Sequence, residues 1–165
     1  LQTDYAKNGN SIVFVSLLRA QARNGKMNET IAACEDYEAT GMFRDQLDWT
    51  CGKFYLQAGK HQRAEPLILR TVEAFPRDAW RRLDLAMLHA RTGRREEART
   101  EFEEARRLER LPFVREVMFA LELIELYPHD RERMLEARRH LEKALEIQPR
   151  AAQAKQLLDR LESRL

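Results

Sequence analysis

The chain of 165 residues contains no run of eighteen apolar residues. Its longest apolar stretch near the start, Ile12 to Leu18, is broken by Ser16. A single helix spanning a bilayer needs about 20 consecutive apolar residues, so no membrane span is expected. An excess of charge of one sign is also missing: 29 Lys and Arg face 27 Asp and Glu, a net charge of +2. Coating a nucleic acid relies on many uncompensated cations, and this balance argues against it, leaving room only for a local basic patch. Cysteine is scarce. Cys34 and Cys51 make neither a metal motif nor a disulfide framework. They read as two unpaired buried thiols, which tilts localisation toward the cytoplasm; the other reading is one disulfide between neighbouring helices, and with it an oxidising compartment. None of the four histidines, His61, His89, His129 and His140, stands at ligand spacing from another His or Cys. There is no glycine-rich phosphate loop and no Gly-x-Ser-x-Gly elbow. No catalytic constellation, metal site or cofactor is therefore expected, and the chain reads as no enzyme.

Glycine is sparse as well, six in all, but three of the six are evenly placed. Gly25, Gly59 and Gly93 follow one another at a step of 34. The same step joins Leu17, Cys51, Leu85 and Phe119; Leu18, Gly52, Ala86 and Ala120; Thr30, Ala64 and Ala98; and Cys34, Ile68 and Phe102. Five columns with one period define an internal repeat. The glycines mark a turn between two helices, where a left-handed residue is cheap. The columns of small residues let the two helices of a hairpin approach closely, and the Cys34, Ile68, Phe102 column supplies a larger knob between hairpins. Pro76 and Pro149 stand where a second helix should stop. In the last repeat Ala137, Leu141 and Ala144 match Ala98, Phe102 and Ala105 at a step of 39, so five residues are inserted. They are expected in the turn from Tyr127 to Arg133, with Asp130 capping the next helix.

These columns closely resemble the tetratricopeptide repeat (TPR) family, best from Gly52 and Tyr55 through Gly59, Ala64 and Pro76, and nearly as well over Ala79 to Arg110. The resemblance covers residues 11–149. It implies an all-α fold, a right-handed α-solenoid of four TPR-like helical hairpins plus a C-terminal capping helix. The repeats are placed at 11–44, 45–78, 79–112 and 113–149. Residues 150–165 form the cap, where Ala154, Leu157, Leu158, Leu161 and Leu165 recur at helical spacing. Residues 1–10 read as the tail of a preceding helix or a linker. The first repeat also resembles a pentatricopeptide repeat, through Phe14, Leu17, Leu18, Gly25 and the ending Gly41-Met42-Phe43-Arg44-Asp45. That relative reads one RNA base per repeat, but the base-reading place holds Val15, and Arg44 stands where a Pro is usual.

In the resembling family, peptides lie on a concave face lined by the first helix of each hairpin. Carried over by position, that face takes Ile12, Val15, Arg19 and Arg23; Gln46, Trp49, Lys53 and Leu56; Trp80, Leu83, Met87 and Arg91; and Val114, Val117, Leu121 and Ile124. The residues expected to bind a partner are Arg19, Arg23, Trp49, Lys53, Trp80, Met87, Arg91 and Leu121. The implied function is a non-enzymatic scaffold or adaptor, and the partner suited to this lining is an acidic peptide with an apolar anchor. The bland alternative buries both tryptophans between helices and leaves the cations solvated. RNA binding of pentatricopeptide type, and an oligomerisation or self-association arm of a larger assembly, are the competing readings. The chaperone-tail clamp known in part of the family is not matched, because Arg19 replaces a clamp Asn and Trp80 a clamp Lys.

Overall fold

The structure, a computed structural model, describes residues 11–41 and 44–165. The expected tail at residues 1–10, and Met42 and Phe43 of the pentatricopeptide-like ending, lie outside the described residues. Among the described residues all regular structure is helical. The helices are α1 (Ser11–Arg23), α2 (Met27–Glu38), α3 (Asp45–Gln57), α4 (His61–Ala74), α5 (Ala79–Arg91), α6 (Arg95–Leu108), α7 (Pro112–Leu126), α8 (Arg131–Ile147) and α9 (Ala152–Glu162). They form four hairpins and a closing helix. The chain divides into two compact units between Pro76 and Arg77.

The turn column acts as its backbone chemistry requires. Gly25, Gly59 and Gly93 all have positive φ, 77°, 71° and 81°. In each case the residue after the glycine donates its N–H five residues back: Lys26 to Gln21, Lys60 to Tyr55 and Arg94 to His89. This closes the preceding helix by satisfying a carbonyl that would otherwise lack a partner.

In the first unit, α1 packs on α2 and α3, and α3 packs on α4. Leu18, Thr30, Gly52 and Ala64, the small-residue columns apart from Leu18, are buried. At Gly52 the approach is so close that a Cβ would meet Ile68 Cγ1 at 2.9 Å and Leu67 Cβ at 3.4 Å. Cys34 on α2 and Cys51 on α3 are joined in a disulfide with Cα atoms 5.6 Å apart. The expectation of two free thiols is therefore corrected, and the other reading, one disulfide between neighbouring helices, is the one the structure has. The reason is register. Three residues on from Cys34, Tyr37 donates its hydroxyl to Asp48 Oδ1 at 2.6 Å, and Asp48 lies three residues before Cys51. Helices α2 and α3 thus cross antiparallel, with the Cys34 and Cys51 columns face to face at the joint between hairpins.

In the second unit, α5 pairs with α6 and α7 with α8, while α7 also packs on α5 and α6, and α9 lies on α8. One core runs through these helices. Ala86, Ala98, Ala120 and Ala137 sit at 0% exposure in it, beside Phe102 and Leu141. Asp78 caps α5 by accepting from the N–H groups of Trp80 and Arg81. Asp130 caps α8 by accepting from Arg133 N–H at 3.1 Å. The five inserted residues are not all turn, as expected, because Arg131 to Arg133 are already helix. Compared with α5 and α6, α7 ends one residue later, the turn is one longer, and α8 starts three residues earlier. Asp130 sets that early start, since its carboxylate supplies a partner for an N-terminal amide. Helix α9 buries Ala154 and Leu161, half-buries Leu157 and Leu158, and turns Lys155, Gln156, Asp159 and Arg160 to solvent.

Candidate functional site

The eight residues expected at a binding face divide four and four between the units. In the first unit, Arg19 and Arg23 stand one turn apart on α1, both exposed. Among the described residues neither has a carboxylate within ion-pair distance. On the neighbouring α3, Trp49 and Lys53 are likewise one turn apart, and Lys53 Nζ lies 5.1 Å from the Trp49 ring centroid. Trp49 is half-buried. The i, i+4 spacing of each pair puts its members on one helix face, and the helices that carry the pairs, α1 and α3, pack on one another. The other positions differ. Val15 and Leu56 are core residues at 4% and 2% exposure. Ile12 is 76% exposed, and Gln46 is half-buried.

In the second unit, Trp80 and Met87 on α5 are half-buried and packed against the core. Leu121 on α7 belongs to the core itself, as do Leu83, Val114 and Val117. Arg91 reaches from α5 to α7 and makes a two-pronged contact with Glu125, Nε to Oε2 at 2.9 Å and Nη2 to Oε1 at 2.5 Å. The bond from Glu125 holds the guanidinium above its usual pKa, against the lowering effect of burial. Glu125 was not among the expected residues. The signal was present, since 91 + 34 = 125, and equal positions on successive first helices of stacked hairpins are neighbours.

A second periodic constellation was also missed. Asp48, Arg82 and Glu116 stand 34 apart on the first helices, and Arg70, Glu104 and Lys143 match one another on the second helices at steps of 34 and 39. Asp48 Oδ2 lies 2.9 Å from Arg70 Nη2, and Glu116 Oε1 lies 2.6 Å from Lys143 Nζ. In the hairpin between them the signs are reversed. Arg82 takes Glu101 at 2.7 Å, and its charge also helps hold Glu104 below the usual carboxylate range, after the larger effect of the Arg107 hydrogen bond. Asp48 is fully buried, and burial pushes its carboxyl above the usual range in spite of the Tyr37 hydroxyl and Arg70. Burial also pushes the Tyr37 hydroxyl up, helped by Asp48. Glu116 is opposed by burial but held low by Lys143 and His140, whose Nδ1 is 2.7 Å away. His140 also stacks on Phe119, with ring centroids 5.0 Å apart. A cleft of 420 Å³ opens over Asp48 between α2 and α4, lined by Tyr37, Glu38, Arg63 and Arg70. Its mixed signs favour neither anions nor cations.

Among the described residues no three His, Cys, Asp or Glu side chains group to hold a metal ion. No helix there is long and apolar enough to cross a membrane. The architecture is that of helical-repeat proteins, in which successive hairpins display a surface to a partner. The tetratricopeptide repeat family model matches residues 55–112. Solved structures with the same fold include YrrB, described as a TPR protein with an unusual peptide-binding site. It is 20% identical with a TM-score of 0.61, covering 94% of this chain and 89% of that one. MamA from AMB-1 is 22% identical with a TM-score of 0.54, covering 92% of this chain and 90% of that one. Cut9, in its hetero-tetramer with Hcn1 from the APC/C, is 16% identical with a TM-score of 0.56, covering 89% of this chain but 35% of that one. No curated protein sequence matches significantly.

Proposed function

We propose that this protein is a non-enzymatic adaptor whose first unit grips an acidic peptide carrying an aromatic or aliphatic anchor. The observation that carries this reading is the exposed Arg19–Arg23 pair on α1 beside the Trp49–Lys53 pair on α3. Arginine pairs well with carboxylates in a bidentate manner, and a half-buried tryptophan offers a rigid apolar platform. The second unit contributes differently. Its Trp80 and Met87 offer apolar contact, while Arg91 is committed to Glu125 and Leu121 to the core. On this reading the exposed cations of the lining are Arg19 and Arg23, both in the first unit. YrrB, a TPR protein with a peptide-binding site, supports a peptide as the class of ligand.

The test uses a fluorescein-labelled decapeptide of glutamates around one phenylalanine, titrated by anisotropy at two salt concentrations. Binding should weaken with salt, and Arg19→Glu with Arg23→Glu should lower affinity at least about tenfold. Equal affinity of the double variant and the parent would defeat the reading. The RNA alternative is disfavoured by Val15, which is buried at 4% exposure and has no hydrogen-bonding group for a base edge. A single-stranded RNA oligonucleotide in the same assay should give no saturable signal.

A further inference from the structure

The joint between the first two hairpins is built unlike the corresponding joint of the second unit. Where α2 meets α3, the facing positions hold the bonded pair Cys34 and Cys51, each at 0% exposure. At the matching positions of α6 and α7, two steps of 34 further on, stand Phe102 and Phe119. There Phe102 is fully buried, while Phe119 is 38% exposed and stacks on His140, so the first unit has a covalent bond where the second has two aromatic rings. Among the polar links between the first and second hairpins, Tyr37 donates to Asp48, while Lys60–Glu35 and Arg63–Glu38, each at 3.1 Å, are solvent-exposed. Exposed pairs of that kind contribute little to stability. The first hairpin is also the less buried partner, with Ile12 and Val13 of α1 at 76% and 44% exposure.

We propose that the Cys34–Cys51 bond is a redox clasp: oxidised, it docks the first hairpin on the second; reduced, it lets α1 and α2 open while α3 and α4 stay paired. The chemistry is ordinary thiol–disulfide exchange. A thiolate of a dithiol attacks one cysteine sulfur, and the other cysteine leaves as thiolate. The second thiol of the dithiol then attacks the mixed disulfide and closes its own ring, releasing the second cysteine. Two electrons pass to the protein, two protons complete its thiols, and the dithiol ends as a disulfide. The reverse transfer, from the disulfide of a thiol oxidoreductase, forms the clasp, so the protein completes its fold where such an oxidant operates. Because both sulfurs are buried, attack has to wait for the joint to open, and the oxidised form resists mild reductant. The bond closes a loop between residues 17 apart. It therefore limits the chain's freedom locally, within one unit.

If the peptide-binding reading above is right, reduction would also separate Arg19 and Arg23 from Trp49 and Lys53. The following readout is independent of any ligand. The intact chain is prepared without reductant, quenched in N-ethylmaleimide under denaturing conditions, and weighed by mass spectrometry. No alkylation is expected, and two additions are expected after full reduction with dithiothreitol. Amide hydrogen exchange is then compared in the two forms. Reduction should speed exchange in residues 11–38 at least about tenfold, leaving α5–α8 unchanged. The double variant Cys34→Ala with Cys51→Val should exchange like the reduced form, with or without reductant. Thiols that alkylate without reductant, unchanged exchange at 11–38 after reduction, or a double variant as protected as the oxidised parent would each overturn the proposal. Should the variant fail to fold, the parent protein before and after reduction decides.

Discussion

Single residues divide into those that spend backbone freedom and those that spend space. Gly59 has φ of 71° and nothing within 4 Å of where a Cβ would stand. Gly59→Ala should therefore cost only the left-handed penalty, about 1–2 kcal/mol. Gly52 is the opposite case, in helical conformation but pressed against Ile68 and Leu67. Ala there gains about 1 kcal/mol of helix propensity and loses a similar amount to crowding. Val adds further atoms, and Gly52→Val should lower stability by about 2–3 kcal/mol. Urea melts of the three variants check the ranking. Asp48 sets a pH prediction. Its folded-state pKa is raised, so the stability it contributes is present at low pH and is lost as pH rises through the carboxylate range. Asn keeps the acceptor for the Tyr37 hydroxyl and removes the buried charge, and the Arg70 side chain is half-exposed. Asp48→Asn should therefore gain on the parent protein between pH 3 and pH 7, as urea midpoints across that range would reveal. A difference constant with pH would contradict it.

At the scale of elements, the facing columns carry opposite charges in each hairpin, and the sign flips from one hairpin to the next. Asp48 pairs with Arg70 and Glu116 with Lys143, while Arg82, opposite Glu104 in the column, pairs with Glu101 one turn earlier. Glu116→Lys would bring like charges together at α7–α8. Adding Lys143→Glu should restore part of the loss, with a coupling of about 0.5–1 kcal/mol in a double-mutant cycle. Most of this scale was legible in the sequence, because turn glycines and small residues recur at fixed offsets and backbone geometry demands them. Gly25, Gly59 and Gly93 lie in turns with positive φ, and Ala86, Ala98, Ala120 and Ala137 are all fully buried. The extra residues of the last hairpin were assigned to the turn because Pro128, His129 and Asp130 look like turn residues. Asp130 instead starts α8 one residue later in the chain, at Arg131.

At the scale of the whole chain, two units carry the four hairpins, and the division falls between Pro76 and Arg77. A 34-residue period has no term for such a break, since every repeat looks equivalent to its neighbour. The binding lining was legible only as positions. Whether a position faces a groove or the core depends on the packing, and Val15, Leu56 and Leu121 proved to be core. The cysteine pair was hidden for a related reason. A spacing of 17 residues names no partner until the antiparallel crossing of α2 and α3 is known. At this scale salt should act unevenly. An acidic probe should lose affinity for the protein as ionic strength rises, while an uncharged apolar probe, chosen for Trp80 and Met87, should not. Parallel titrations at 50 mM and 500 mM salt, between which the Debye length falls from about 14 Å to about 4 Å, make the comparison.

The Arg91–Glu125 contact has a consequence for selectivity. Glu125 already occupies the fork that an incoming carboxylate would want, so it behaves as a resident competitor tethered beside its own receptor. An acidic guest reaching this unit must displace a group whose effective concentration far exceeds its own, whereas a guest that offers only hydrocarbon meets no rival. On the proposed peptide-binding reading, the carboxylate would act as a filter that steers negative charge away from the second unit without any steric barrier.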